Sequence, residues 1–453
     1  MVFSTLTFMS LALPMALAAY FALPRRFRNA WLLLFSLFFY AWGEPAYVFL
    51  MIFSTAMNWG FARLIEDRPK YKRVFLTLTI ISDIGMLAVF KYSALLAETL
   101  NALPGLNVPV PRIPLPIGIS FFTFQSMSYV IDVYRGRVKA QRRIDRMGLY
   151  ICLFPQMVAG PIVRYADIAE QIESRKETLE GFTAGMQRFI VGLSKKVLLA
   201  NALAPLADEV FSRAGSFGPM GAWLGLFAYT FQIYFDFSGY SDMAIGIGRM
   251  FGFQFKENFD YPYISRSVKE FWNRWHMSLG TWFRDYLYIP LGGNRVKKPR
   301  RILNIGIVFL LTGLWHGASW TFVIWGAYHG VFRILEECFE RRGPRLIQWA
   351  GTMLVVLFGW VLFRADSLPD AWRFICGMFG AGGALWPIKA APRAFYALAI
   401  GALTCLPMPS AFLDRFKGAY TELIRWPALV ALLILCMASL ASGTYNPFIY
   451  TRF

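Results

Sequence analysis

Apolar residues fall in long unbroken runs along most of this 453-residue chain, and the polar stretches between the runs are strongly basic. The first run, Val2 to Pro24, ends in Arg25, Arg26 and Arg28. Asn29 to Phe61 then holds two apolar stretches around Gly43-Glu44-Pro45, and a basic segment follows from Arg63 to Arg73. About 20 apolar residues carry a helix across a hydrocarbon layer. The pattern therefore predicts one membrane helix, then a pair joined by a tight exterior turn. Ala16-Leu17-Ala18 resembles a signal-peptidase site, but no basic residue precedes it, so the first run reads as an uncleaved helix. Val74 to Phe90 leads into Leu95–Gly118, where Pro104, Pro109, Pro111, Pro114 and Pro116 exclude one helix and predict an extended loop. Ile117 to Tyr134 returns to Arg135–Arg146, which has six basic residues and one acidic. Basic and charge-poor loops alternate, as they do when Lys and Arg stay in the cytoplasm, and this orients the N-terminus outside.

Beyond this point the runs become irregular. Gly148–Tyr165 is short and broken by Pro155, Gly160 and Pro161, which suits a re-entrant or interfacial segment. Phe182–Leu206 carries Lys195 and Lys196, and Ala222–Phe251 carries Asp236 and Asp242. Residues 253–301 are polar and rich in Trp and Tyr, with ten basic and four acidic residues, and read as a cytoplasmic-side element. Ile302–Val331 is too long for one span and short for two; two helices meeting around Leu314–Ser319 would return both ends to the cytoplasm. Three more helices are expected near 346–363, 393–410 and 426–443, for about 11 membrane-embedded segments in all. The expected fold is an all-α polytopic membrane protein. A single membrane domain is expected over 1–453, with C-terminal helices at 366–453.

Composition agrees: 57% of residues are hydrophobic and 16% are charged, against about 25% charged in soluble domains. Mean hydropathy is +0.45. A net charge of +19 would suggest nucleic acid in a soluble protein, but here basic cytoplasmic loops account for most of it. The five cysteines are scattered and form no C-x-x-C, so neither a disulfide framework nor a zinc ribbon is supported.

Ionisable groups inside a membrane are functional candidates by default. The chain has three histidines, His276, His316 and His329. His316 lies in Leu311-Thr312-Gly313-Leu314-Trp315-His316-Gly317-Ala318-Ser319-Trp320, where small residues admit a substrate and indoles dry a pocket. A histidine that only hydrogen-bonds a neighbouring helix fits that context as well. His276 sits among alternating aromatic and polar residues that suit an interfacial helix, and His329 reads as a packing residue. No metal-site spacing such as H-E-x-x-H occurs, and no metal is expected. Asp236 and Asp242 are either proton-relay groups or structural acids paired with Lys195, Lys196 or a basic residue of 253–301. Gly292-Gly293-Asn294 reads as a turn.

Two stretches carry a resemblance: Phe231-Gln232-Ile233-Tyr234-Phe235-Asp236-Phe237-Ser238-Gly239-Tyr240-Ser241-Asp242-Met243-Ala244 and Phe271-Trp272-Asn273-Arg274-Trp275-His276-Met277-Ser278-Leu279. Both are similar to the membrane-bound O-acyltransferase superfamily. Phe283-Arg284-Asp285-Tyr286-Leu287-Tyr288-Ile289-Pro290-Leu291-Gly292-Gly293-Asn294-Arg295 resembles its bacterial alginate O-acetyltransferase branch, and Pro155 to Tyr165 is a further family-like stretch. The resemblance covers about residues 1 to 365. It implies a ring of tilted helices around a thinned membrane centre, with a catalytic core at 115–335 that includes 253–301 as its cytoplasmic-side element. It places the family's essential histidine, in its Trp-His-Gly context, on His316, and the second family position, forty residues upstream, on His276.

The implied activity is O-acetyl transfer in a bacterial inner membrane. Acetyl-coenzyme A would serve as cytoplasmic co-substrate, with no tightly bound cofactor. The acceptor would be an extracytoplasmic polysaccharide, reached directly or through a periplasmic or membrane-anchored partner transferase. His316 would act as general base, while His276 or a group near it would polarise the thioester carbonyl or position the donor. Asn273, Arg274, Arg284, Asp285, Arg295 and Lys297 are the expected donor-binding set, chosen from charge and position. Peptidoglycan O-acetylation and D-alanyl transfer use the same fold. A proton-coupled transporter is the rival from another class, although the repeated halves common in transporters are missing. Nucleic acid is not an expected partner.

Overall fold

The computed structural model describes residues 2–158, 160–339, 343–383, 391–407, 419–443, 446 and 449. Its regular structure is helical, and no strand occurs among the described residues. Five helical stretches are long and apolar enough to cross a membrane: 47–67, 69–101, 179–212, 345–364 and 423–441. The chain forms two compact units, residues 1–186 with 244–256, and residues 187–243 with 257–453.

In the first unit, helix α1 (Leu13–Ala22) follows one wide turn at Phe8–Ala12, and α2 (Arg25–Ala41) and α3 (Tyr47–Asp67) flank the expected turn at Gly43-Glu44-Pro45. Helix α4 (Lys72–Leu87) continues through a π-helical turn at Ala88–Tyr92 into α5 (Ser93–Asn101). The loop expected from Leu95 therefore begins seven residues later, because nothing breaks the helix until Pro104 is near. Helix α6 (Ile119–Tyr134) starts at Gly118, whose φ of 77° is left-handed and whose Cβ would stand 2.6 Å from the Met157 carbonyl oxygen. Only glycine fits there. The stretch expected to be re-entrant breaks into α7 (Ile144–Cys152) and a single turn, α8 (Phe154–Met157), before α9 (Tyr165–Ser174). Between membrane helices, Asn58 of α3 donates to the Asp83 carboxylate of α4 at 3.0 Å, and both are fully buried.

The second unit is built on aromatic packing. Helix α10 (Leu179–Ser194), which belongs to this unit from Gln187 on, runs through a π-helical turn at Lys195–Ala200 into α11 (Asn201–Ser212). Opposite lies α12 (Pro219–Met250), 32 residues without a break. Gly192 and Gly239 let the two backbones touch: a Cβ on Gly192 would lie 2.6 Å from the Gly239 carbonyl oxygen. This approach sets up the ion pairs. Lys195 Nζ reaches Asp242 at 2.6 Å, Lys196 Nζ reaches Asp236 at 2.7 Å, and Arg188 joins Asp242 at 2.7 Å. Both acids are thus the structural partners of the two lysines, one of the two roles open from sequence.

Short helices α13 (Val268–Arg274) and α14 (Met277–Phe283) follow, then α15 (Lys298–His316), α16 (Trp320–Cys338) and α17 (Arg345–Arg364). The break between α15 and α16 falls at 317–319, inside the expected junction. These two helices also touch through glycines, since a Cβ on Gly313 would sit 2.3 Å from the Phe322 carbonyl oxygen. Helix α18 (Leu368–Met378) was not anticipated; α19 (Pro392–Thr404) and α20 (Ala419–Ala441) were. The last residues of the helix expected at 393–410 lie outside the described residues.

Candidate active site

His316 is the last residue of α15 and is 1% exposed. Three rings close around its imidazole: Trp315 at 5.0 Å, Trp325 of α16 at 5.0 Å and Phe363 of α17 at 5.3 Å, all near edge-on. Gly317 is required by close approach, because a Cβ there would stand 2.2 Å from the Phe322 ring. The Trp-His-Gly sequence thus makes sense locally. The helix ends, the chain turns past Phe322, and the imidazole is left at the helix end inside an aromatic box.

His276 is 2% exposed and occupies the corner between α13 and α14, with φ 45° and ψ 53°. Few residues with a side chain adopt that left-handed conformation. Its ring lies edge-on to Phe237 of α12 at 4.7 Å and 5.9 Å from Trp315. Trp315 therefore touches both imidazoles. The other side of His276 is polar: Nδ1 is 3.1 Å from Asn258 Oδ1. Burial pushes the His276 imidazole down to about 3 from 6.5.

His329 belongs to the same cluster. It is 1% exposed, 5.1 Å from Trp325 and 5.1 Å from Trp272, one turn of α16 beyond Trp325. Its Nε2 occupies the space a Cβ on Gly359 would need, 2.4 Å away. The three imidazoles alternate with Trp315 and Trp325 in one buried row. Sequence reasoning singled out the histidines and the neighbouring indoles. It missed Trp325, Phe363 and Asn258 as members; only the i, i+4 spacing of Trp325 and His329 signalled any of this.

The expected donor-binding residues are not members of this row of rings. Asn273 is exposed on α13. Arg274 is held by Asp260 at 2.7 Å and by Glu270 at 3.1 Å. Arg284 is exposed and pairs with Asp285 at 2.7 Å, so the carboxylate steadies the guanidinium and has no charge reason to meet a phosphate itself. Arg295 and Lys297 are exposed in the turn leading into α15. That turn uses two glycines at positive φ, Gly292 (108°) and Gly293 (54°), and Asn304 of α15 fastens it by donating to the Leu291 carbonyl at 3.1 Å.

Chemically, the row offers a buried imidazole in dry aromatic surroundings beside a second imidazole with a fixed polar partner. That constellation suits proton transfer from a hydroxyl to a buried base. It also shields a reactive ester from water.

Residues 146–363 match the model of the membrane-bound O-acyltransferase family. Over its full length the chain is 41% identical to the whole of a probable alginate O-acetylase AlgI of Azotobacter vinelandii. It is 42% identical to the Pseudomonas aeruginosa protein of that name, over 91% of this chain and 81% of that one. A peptidoglycan O-acetyltransferase of Helicobacter pylori is 34% identical over 84% of this chain and 80% of its own.

Proposed function

The chain belongs to the membrane-bound O-acyltransferase family, and from that premise we propose that it moves acetyl groups from cytoplasmic acetyl-coenzyme A to hydroxyls of an extracytoplasmic polysaccharide, alginate or a polymer like it. It does so as a multi-pass protein of the bacterial inner membrane, passing the acetyl group to the polymer directly or through a periplasmic or membrane-anchored partner transferase. The observation that carries this reading is the buried pair His316 and His276 on either side of Trp315.

In the transfer, an imidazole nitrogen of His316 takes the proton from the attacking hydroxyl as its oxygen bonds to the thioester carbonyl carbon. The carbon–sulfur bond then breaks and the thiolate of coenzyme A leaves, taking up that proton. The rings of Trp315, Trp325 and Phe363 keep bulk water from competing with the acceptor. Arg284, Arg295 and Lys297 are exposed and basic, and serve as partners for the donor's phosphates. Arg274, with two carboxylates already, steadies α13 instead.

Turnover of acetyl-coenzyme A by the purified full-length protein, with oligomannuronate as acceptor, tests the reading. His316→Ala is expected to lower the rate at least about 10²-fold; equal rates would remove His316 from the chemistry. The relative that acts on peptidoglycan supports a second reading of the acceptor. Acetylation of muropeptides in preference to oligomannuronate would decide for it.

A further inference from the structure

The hydrogen bonds around Asn258 determine which nitrogen of His276 carries the proton. Asn258 is 1% exposed, and its side chain is engaged on both ends. Its Oδ1 faces the backbone N–H of Ser278 at 3.2 Å and the Ser278 hydroxyl at 2.9 Å. Its Nδ2 faces the Ser241 hydroxyl of α12 at 3.0 Å. A backbone N–H can only donate, so the amide atom it meets is the carbonyl oxygen. That same oxygen lies 3.1 Å from His276 Nδ1. A carbonyl oxygen can only accept, so Nδ1 holds the hydrogen. A neutral imidazole has one such hydrogen, which makes Nε2 the lone-pair nitrogen.

The backbone reinforces this arrangement. The Asn258 carbonyl accepts from the N–H of Met277 at 2.9 Å, and two residues on, Asp260 N–H donates to the Arg274 carbonyl at 3.0 Å. The segment 258–260 thus grips the chain on both sides of His276, where φ is 45°. Such a conformation persists only when its surroundings hold it. Asn258 does this with its main chain and orients the ring with its side chain.

We propose that Asn258 is a positioning residue for acyl transfer. It fixes His276 as the Nδ1–H tautomer, so that Nε2 accepts a hydrogen bond from an N–H or O–H of a bound substrate. The inference rests on the acyltransferase reading and decides between two roles for His276. Polarising a thioester carbonyl requires an N–H at Nε2; orienting a substrate through its own N–H or O–H requires a lone pair. The geometry assigns the second. The hydrogen donor is either an amide of the acyl donor's arm or the acceptor's hydroxyl.

The test uses the full-length protein in lipid nanodiscs with ¹⁵N-labelled histidine, since three imidazoles give a spectrum simple enough to assign by deleting His276. At pH 7.5 His276 is expected to show a protonated Nδ1 and a lone-pair Nε2; the opposite pattern overturns the proposal. Asn258→Leu should lose the tautomer preference and slow acetyl-coenzyme A turnover by about tenfold to a hundredfold. Asn258→Asp should keep the Nδ1–H form, because a carboxylate also accepts, and move the acid limb of the pH–rate profile upward. Turnover of Asn258→Leu at the wild-type rate overturns the role even if the tautomer changes. A raised KM for acetyl-coenzyme A in that variant places the hydrogen on the donor, and a lowered kcat alone places it on the acceptor. If the variant does not fold, the wild-type spectrum alone decides the tautomer. Failure of the acyltransferase reading would show separately, as wild-type turnover no faster than that of His316→Ala.

Discussion

Single positions around His316 are set by what their neighbours lack. Gly317 leaves room for the Phe322 ring, which packs at 5.0 Å on Phe363, itself one wall of the His316 box. Gly317→Ala puts a methyl into that ring and must move it. Overpacking of this kind costs about 1–3 kcal/mol, and we expect turnover to fall about tenfold while the protein still assembles; unchanged turnover would show that Phe322 does not shape the site. His276 carries a pH signature as well. The unfolded chain takes up a proton near 6.5 that the native state refuses until about 3. The native state therefore holds its full advantage above pH 6.5 and loses it as the pH falls toward 3, by up to about 1.4 kcal/mol per pH unit. Thermal unfolding between pH 7.5 and 4.5 should show a steeper acid decline in wild type than in His276→Asn; equal slopes would refute the assignment. His316 stood out as a candidate in the sequence because Trp315, His316 and Gly317 are consecutive, the context in which the family resemblance places its essential histidine. Asn258 did not, since it meets His276 across eighteen residues through a left-handed corner that no local pattern announces.

At the scale of helices, the decisive element is the wide turn at Lys195–Ala200, packed on α12 where Gly192 meets Gly239. The Lys196–Asp236 pair is sealed, with side chains 1% and 2% exposed, and the Asp236 carboxylate also accepts from the Ile449 N–H at 2.7 Å. Removing one partner of a buried pair strands the other charge. Lys196→Met should destabilise the protein by about 3–5 kcal/mol, and adding Asp236→Asn should return part of it. Thermal unfolding of the two variants checks this, and a double variant no better than the single one would contradict it. The sequence offered this pairing as one of its open readings, because two lysines and two aspartates stand out within apolar runs. It showed the α15–α16 break for a similar reason, a run too long for one helix with small residues in the middle. Helix α18 stayed hidden because Ser367-Leu368-Pro369-Asp370 looks like a loop. In fact Ser367 Oγ accepts from the Asp370 N–H at 3.2 Å, so those residues cap a helix start, where proline is welcome.

For the molecule as a whole, charge and apolar length give different amounts of information. Among the described residues five stretches qualify as spans by length and composition, fewer than the segments the apolar runs suggest; α12, for one, carries Asp236 and Asp242, buried against Lys196 and Lys195. A count of spans therefore follows from tertiary pairing, which composition does not contain. Orientation is different, because loop charge acts before packing does. The 102–118 loop carries one charged residue and the 135–146 segment seven, and these lie at opposite ends of α6. On that expectation the net charge of +19 is mainly topological, with a smaller share beside α14 and α15 for the proposed anionic donor. Asn107 and Lys139 are both exposed. A cysteine at Asn107 should react with a membrane-impermeant maleimide on intact cells, and one at Lys139 only after permeabilisation, each read above the labelling of the five native cysteines. The reverse pattern would invert the expected topology of this part of the chain.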